Sequence, residues 1–383
     1  MHMADALLAP STGLVMWAAA ATALALASRQ LKARADDRLV PLMGMLGAFV
    51  FAAQMINFSI PGTGSSGHLG GGLLLAILLG PHAALVVISS VLTVQALFFA
   101  DGGLLALGAN IFNLGVLPCM VAYPLVYRPL AGRAPSPRRM SVAAVLAAVA
   151  ALQLGAMGVV LQTVASGISA LPLHLFAWLM LPIHAAIGLV EGLATAALVG
   201  FVMRQRPGLL QPDAWAPPAT AQGRPTLRPV LATTALLALL VGGVGSWFAS
   251  TQPDGLEWSV AHASGGQEVA APARGVHAAL AQVQAAVAWL PGYGWPSTAA
   301  AVGGTQPAAA MAAAAPAPTT SSAASATPVA PTAPVAPVAP VAAAPWPAVD
   351  LGASLAGVLG GSLTLALVSG VALLLRRRKP APG

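Results

Sequence analysis

The sequence predicts an all-α polytopic membrane protein, with about seven transmembrane helices in a first part and two more in a C-terminal part. Two features of its composition predict this fold class. Only 7% of the 383 residues are charged, whereas soluble globular domains carry about 25%. Apolar residues make up 57% of the chain, which is too hydrophobic for a disordered protein. The single cysteine, Cys119, excludes a disulfide framework and a Cys-based zinc site.

Several apolar segments of the chain are long enough to span a membrane. A helix needs about 20 apolar residues to cross a bilayer. Segments close to this length are 12–28, 40–58, 106–127, 141–166, 176–203, 230–249 and 352–375. A longer segment, 70–99, is interrupted at Gly80-Pro81, where proline removes a helical hydrogen bond. We expect it to divide there and to cross twice, which gives about nine crossings; a re-entrant segment would give about seven.

The basic residues predict the orientation. Sixteen of the 17 lie in four short clusters, which are Arg29, Lys32, Arg34 and Arg38; Arg128, Arg133, Arg138 and Arg139; Arg204, Arg206, Arg224 and Arg228; and Arg376, Arg377, Arg378 and Lys379. The positive-inside rule places all four in the cytoplasm. We therefore expect a multi-pass protein of the bacterial cytoplasmic (inner) membrane, with an external N-terminus and a cytoplasmic C-terminus. The net charge of +7 reflects this topology and does not indicate nucleic-acid binding.

The chain divides into two parts joined by a linker. Residues 1–203 contain closely spaced apolar helices, and residues 204–228 form a polar, Pro-rich cytoplasmic connection. Residues 229–379 contain two apolar helices around a long external segment. Within that segment, residues at about 299–347 are almost all Ala, Pro, Thr, Ser and Val, and they predict an extended spacer with no site.

The first two residues suggest a metal chelate. The Met1 amine, the backbone nitrogen of His2 and the His2 imidazole can bind one ion together. Three nitrogens in a plane favour Ni(II) or Cu(II) over tetrahedral Zn(II). The amide must lose its proton, so binding should weaken as pH falls. A fourth ligand could be His68, which ends a glycine-rich loop, although composition alone favours a frayed terminus and an ordinary loop histidine.

Motifs across residues 1–203 resemble those of one known family. They are residues 1–8, the loop ending at His68, Leu-Leu-Gly-Pro at 78–81, Gln-Ala-Leu-Phe at 95–98, and residues 101–113. They are similar to the CbiM/NikM family, the substrate-binding membrane components of energy-coupling factor (ECF) transporters for cobalt and nickel. One departure is Ala6, where the family usually has glycine.

This resemblance implies a substrate, a ligand set and partners. The metal ligands would be Met1, His2 and His68, and the transported ion would be Ni(II) or Co(II), with nickel slightly favoured. No prosthetic cofactor is implied. The implied partners are a transmembrane coupling subunit and two ABC-type ATPases. The sequence has no Gly-Lys-Ser/Thr phosphate-binding loop, so we expect neither ATP hydrolysis nor any other enzymatic activity from this chain.

Residues 250–296 and 351–375 are similar to an accessory domain named PDGLE. The match rests on the run from Pro253 to Trp258, with Leu290 to Tyr293 as weaker support. His262 and His277 lie in this region, and we expect both on solvated surface.

Other polar residues of the first part suggest supporting roles and two rival functions. We expect Asn110, Asn113 and Gln95 to hold the ligands in place by hydrogen bonds. His184 and Glu191 are seven residues apart on one predicted helix, so they share a face. Structural hydrogen bonding is the simpler interpretation. The rival functions are a proton-coupled secondary metal transporter that uses these two residues, and a non-transporting membrane sensor or scaffold.

Overall fold

The computed structural model describes residues 1–33, 39–132, 136–205, 228–267, 269–295 and 346–375. Most of the predicted linker at 204–228 and of the predicted spacer at 299–347 lies outside these ranges. So do nine residues of the basic clusters, which are Arg34, Arg38, Arg133, Arg206, Arg224, Arg376, Arg377, Arg378 and Lys379.

The described residues form a mostly helical protein, which confirms the predicted fold class. The helices of the first part are α1 (Pro10–Ala33), α2 (Leu39–Gln54), α3 (Gly72–Leu79), α4 (Pro81–Phe98), α5 (Leu107–Ala131), α6 (Pro137–Ser166) and α7 (Leu173–Gln205). Those of the C-terminal part are α8 (Arg228–Gly243), α9 (Gly255–Ala263), α10 (Gly275–Val287) and α11 (Leu351–Leu375). Strands β1 (Phe58–Ile60) and β2 (Ser65–Gly67) pair as an antiparallel hairpin between α2 and α3.

Six of the described helices are long and apolar enough to cross a membrane: α1, α4, α5, α6, α7 and α11. Two shorter apolar helices, α2 and α8, correspond to the predicted segments 40–58 and 230–249. The chain is a multi-pass membrane protein.

The segment 70–99 divides as predicted but unequally. Helix α3 ends at Leu79 and α4 begins at Pro81, with Gly80 between them at a φ of 81°. Helix α3 has only 8 residues, so it rises about 12 Å, against a bilayer core of about 30 Å. It therefore cannot supply one of the nine expected crossings by itself, and in this segment only α4 reaches spanning length.

Small residues bring α6 and α7 together. Several alanines of α6 are fully buried, and Gly188 and Gly192 of α7 lie directly against the α6 backbone at Val149 and Val145. A side chain at Gly192 would come within 2.6 Å of the Val145 Cα. Close backbone approach through small residues is a main source of helix association in membranes, where apolar burial gives no advantage over lipid.

The C-terminal part packs on the first part through α11 and α2. Gly360 of α11 faces the ring of Phe51, which is fully buried. That ring is enclosed further by Phe99 and Tyr293, at centroid distances of 5.3 and 6.3 Å. A side chain at position 360 has no room because the Phe51 ring cannot move aside.

We predict that Gly360→Ala destabilises the protein by about 1–3 kcal/mol, the usual cost of overpacking. Gly370→Ala, on the same helix, is the matched control, because nothing lies within 4 Å of a Cβ at that position. Thermal unfolding of the purified protein in detergent measures the difference. Equal unfolding temperatures for the two variants would contradict this account of the α2–α11 contact.

Candidate metal centre

The backbone of the N-terminal segment, residues 1–8, is held in place by hydrogen bonds. The Met3 backbone N–H donates to Asn110 Oδ1 at 2.8 Å, and Asn110 Nδ2 donates to the Met3 carbonyl at 3.2 Å. That carbonyl also accepts a hydrogen bond from the Gly103 N–H at 2.9 Å. Asp5 Oδ1 accepts a hydrogen bond from the Ala106 N–H at 2.9 Å. The interpretation of residues 1–8 as a frayed terminus is therefore wrong.

The Met1 amine lies between an imidazole and a carboxylate. Its nitrogen is 3.5 Å from His68 Nε2 and 3.1 Å from Asp254 Oδ2. Metal–nitrogen bonds of about 2 Å separate two ligand nitrogens by about 2.8 Å when they are adjacent and about 4 Å when they are opposite. The observed separation of the amine from His68 lies between these two values, so both nitrogens can reach the same ion.

The ring of His68 presents a free lone pair to the amine. Its Nδ1–H donates to the Leu69 carbonyl at 3.1 Å, because a carbonyl can only accept, and this leaves Nε2 unprotonated in the neutral ring. Burial, with smaller contributions from the positive Met1 amine and His2, lowers the pKa of His68 to about 3. The ring is therefore neutral near pH 7, as a metal ligand must be.

The loop after His68 is anchored by buried polar side chains. Glu191 of α7 accepts from the Gly70 and Gly71 N–H groups at 2.8 and 3.0 Å, one at each carboxylate oxygen. Gln54 Nε2 donates to the Gly70 carbonyl at 2.8 Å, and Gln95 Nε2 donates to Gln54 Oε1 at 3.0 Å. Gln95 thus acts on the loop through Gln54 and not on a ligand directly.

The His2 imidazole lies beside His68 but is engaged elsewhere. The two rings stack with centroids 5.0 Å apart and planes inclined by 22°. His2 Nδ1 lies 2.9 Å from Asp101 Oδ1, whereas His2 Nε2 is buried and has no hydrogen-bond partner among the described residues. Nδ1 is the ring nitrogen that can chelate together with the His2 amide. It must leave Asp101 before the predicted planar set is complete.

Asp101 is an ionised carboxylate at this site. Burial alone would raise its pKa, but His2 and the Tyr293 hydroxyl outweigh burial and hold the pKa below its ordinary value. The Tyr293 hydroxyl donates to Asp101 Oδ2, while Oδ1 faces His2. Asp101 is therefore held in place from both sides.

The third expected supporting residue, Asn113, is one helical turn beyond Asn110. It forms reciprocal amide hydrogen bonds with Gln162 of α6, at 2.8 and 3.0 Å. Its Nδ2 also lies 3.8 Å from the Met3 sulfur. Its contacts therefore reach the N-terminal segment at Met3 and do not include the three candidate ligands.

Two residues that the sequence did not place at the metal site line a small cavity with Met1 and His68. They are Asp254 and His184. His184 Nδ1–H donates to the Met180 carbonyl at 2.8 Å, and its Nε2 is buried without a hydrogen-bond partner among the described residues. The sequence predicts that His184 and Glu191 share one face of a helix, but it does not predict that this face borders the N-terminus.

The two histidines of the C-terminal part differ in environment. His262 is exposed, as expected, and stacks on Trp258 at 3.8 Å. His277 is buried, with Nε2 2.9 Å from the Leu8 carbonyl, so the expectation of solvated surface is wrong for this residue. The first turn of α10 thereby contacts the N-terminal segment.

Within the described ranges, no three His, Cys, Asp or Glu side chains converge as a metal cluster. Two of the candidate ligand nitrogens at this site are the terminal amine and a backbone amide, which do not belong to any side chain.

Residues 2–209 match the family described as the cobalt uptake substrate-specific transmembrane region. The chain belongs to this family. Residues 228–377 match the PDGLE domain.

Membership makes the chain a substrate-specific membrane component of the cobalt uptake family, with an attached PDGLE domain. Among its relatives is a putative metal transport protein of Haloquadratum walsbyi, 35% identical over 212 residues, which are 55% of this chain and 93% of the relative. The fused nickel transport protein NikMN of Rhodobacter capsulatus is 35% identical over 227 residues, or 55% of this chain and 64% of the relative. The cobalt transport protein CbiM of Geobacter sulfurreducens is 31% identical over 249 residues, or 62% and 68%.

The chain spans slightly less than two thirds of the length of the Rhodobacter capsulatus relative. A crystallised transition metal transporter aligns with 54% of this chain and 93% of its own, at 32% identity and a TM-score of 0.47. The relatives named here are all transport proteins.

We predict that Glu191→Gln weakens Ni(II) binding about 10- to 100-fold, the usual effect of losing a partner that supports metal ligands. Glutamine offers one acceptor oxygen to two N–H donors, so one of Gly70 and Gly71 loses its hydrogen bond and the His68 loop shifts. Calorimetric titration of the purified protein measures the affinity.

Gln153→Leu is the control for that variant. It removes one partly buried hydrogen bond between α6 and α7, from Gln153 Nε2 to the Leu181 carbonyl, and does not touch the loop. We expect its Ni(II) affinity to be unchanged. Normal Ni(II) binding by Glu191→Gln, combined with lost uptake, would instead support a proton relay through Glu191 and His184.

Proposed function

We propose that this chain captures Ni(II) or Co(II) from the external side of the bacterial cytoplasmic membrane, at a nitrogen site formed by Met1, His2 and His68. The observation that carries the proposal is the Met1 amine, 3.5 Å from the unprotonated Nε2 of His68, with the His2 ring stacked against the His68 ring. The metal is the transported substrate, and it is held only until the protein releases it inside the cell.

The donor set accounts for the choice of metal. The Met1 amine, the deprotonated His2 amide and His2 Nδ1 lie in one plane when they bind an ion, and His68 Nε2 supplies the fourth position. Such a set favours Ni(II) over Zn(II). The relative that is named a fused nickel transport protein supports nickel. The relative named for cobalt makes Co(II) the second candidate.

Two carboxylates make the site attractive to a divalent cation. Partial burial of Asp254 by itself raises its pKa, but the positive Met1 amine and the Glu257 N–H outweigh burial and lower the pKa to about 2. Asp101 is also ionised near neutral pH. The two negative charges stand beside the ligands without replacing them, and they offset the charge of a bound cation.

Movement of the metal across the membrane requires energy from other subunits. The sequence has no phosphate-binding loop. We therefore propose a transmembrane coupling subunit and two ABC-type ATPases as partners, as in energy-coupling factor importers. In this arrangement the N-terminus is external and the C-terminus is cytoplasmic. Residues 1–203 form the metal-binding component, and residues 229–379 form the accessory part.

The engagement of Glu191 favours this function over a proton-coupled secondary transporter. Both carboxylate oxygens of Glu191 accept hydrogen bonds from the Gly70 and Gly71 N–H groups, so Glu191 has a structural role beside the metal site. A sensor or scaffold without transport has no comparable observation in its favour.

We predict that adding the four residues Gly-Ser-Gly-Ser before Met1 weakens Ni(II) and Co(II) binding at least 100-fold. The extension turns the Met1 amine into an amide and places the new terminal amine too far from His2 to join its chelate, while every side chain of the protein is retained. Calorimetric titration of the purified protein measures the change. A protein with the same four residues added after Gly383 is the control and should bind normally. Unchanged binding by the N-terminally extended protein would refute the proposed site.

A further inference from the structure

A residue of the PDGLE domain reaches the candidate metal centre. Asp254 Oδ2 forms an ion pair with the Met1 amine at 3.1 Å, and Asp254 lines the same cavity as Met1 and His68. We infer that the PDGLE domain completes the metal site, and that Asp254 is the positioning residue that holds the Met1 amine toward His68. The inference rests on the proposed function and adds a second part of the chain to the site.

The position of Asp254 is coupled to the loop that carries His68. The Ser66 N–H of β2 donates to the Pro253 carbonyl at 2.7 Å, and the Ser66 hydroxyl donates to the Gln252 carbonyl at 2.8 Å. Ser66 and Asp254 form a parallel bridge. The segment 252–254 therefore lies alongside β2 and meets it two residues before the ligand. A shift of the loop would carry Asp254 with it.

The carboxylate of Asp254 is oriented by the helix that it begins. Oδ1 accepts a hydrogen bond from the Glu257 N–H at 2.7 Å and caps α9, and Glu257 Oε2 accepts one from the Asp254 N–H at 3.3 Å. This reciprocal capping box fixes the side chain at the start of the helix. With Oδ1 engaged, Oδ2 points to the Met1 amine.

The contact with the amine is compatible with a bound metal. A primary amine that coordinates a metal through its lone pair keeps two N–H bonds, and one of them can still donate to Oδ2. Hydrogen bonds from ligands to nearby carboxylates orient metal ligands in many proteins. Asp254 thereby turns the lone pair of the Met1 amine toward the side on which His68 Nε2 lies, where both nitrogens can bind one ion. Asp254 need not bind the metal itself.

A second set of contacts holds the PDGLE domain against the residues that surround His2. The Gly292 N–H donates to the Phe99 carbonyl at 2.8 Å, and the Leu290 N–H donates to the Phe98 carbonyl at 3.2 Å. The Tyr293 hydroxyl donates to Asp101, the carboxylate that faces His2. The domain therefore contacts the amine through Asp254 and approaches His2 through Tyr293 and Asp101.

The test replaces Asp254 by asparagine in the full chain with a native N-terminus. Asp254→Asn keeps an oxygen that can cap α9 but removes the charge that holds the amine. We expect Ni(II) affinity to fall at least tenfold, within the range for lost supporting partners. We also expect the absorption band of planar Ni(II) to weaken, because a misdirected amine no longer completes the plane.

Glu257→Gln is the matched control, since it alters the other half of the capping box without touching the amine. It should keep both the affinity and the planar band. The inference is overturned if Asp254→Asn binds Ni(II) with unchanged affinity and spectrum. It is also overturned if both variants lose affinity together with a lower unfolding temperature, because the effect is then that of a damaged helix. Neither result affects the proposed function, which the N-terminally extended protein tests separately.

Discussion

Burial of the Met1 amine is the constraint on which the rest of the site depends. An ammonium group removed from water costs several kcal/mol unless an opposite charge and hydrogen-bond acceptors replace the lost solvent. Asp254 supplies the charge at 3.1 Å, and the neutral His68 ring supplies a second acceptor at 3.5 Å. These are the groups that a metal-binding amine needs around it. The N-terminus is consequently an interior element of the protein.

The surrounding structure fixes this terminus through backbone contacts. Asn110 binds both the N–H and the carbonyl of Met3, and Glu191 binds two successive N–H groups of the glycine-rich loop. Amide and carboxylate side chains suit this purpose, because a buried backbone group without a partner is costly. They align two separate segments, so that the amine and His68 face each other before any metal arrives. His2, held by Asp101, is the remaining ligand that has to move.

Hydropathy predicted most of the helices because a bilayer requires long apolar runs, and Gly80-Pro81 marked the division between α3 and α4. Hydropathy could not predict how short α3 is, because residues 70–72 are all glycine and do not reveal where the helix begins. Met1, His2 and His68 were found from chelate chemistry and from a family resemblance, and their role as ligands stays a prediction. The contacts of Asp254 and His277 join segments far apart in the chain, so no local sequence pattern could predict them.

X-ray absorption spectroscopy of the Ni(II)-loaded protein with a native N-terminus tests the central claim most directly. This account predicts a planar ion with four nitrogen ligands at about 2 Å, and scattering from two imidazole rings, those of His2 and His68. A six-coordinate ion surrounded by oxygen, or scattering from only one imidazole, would contradict it.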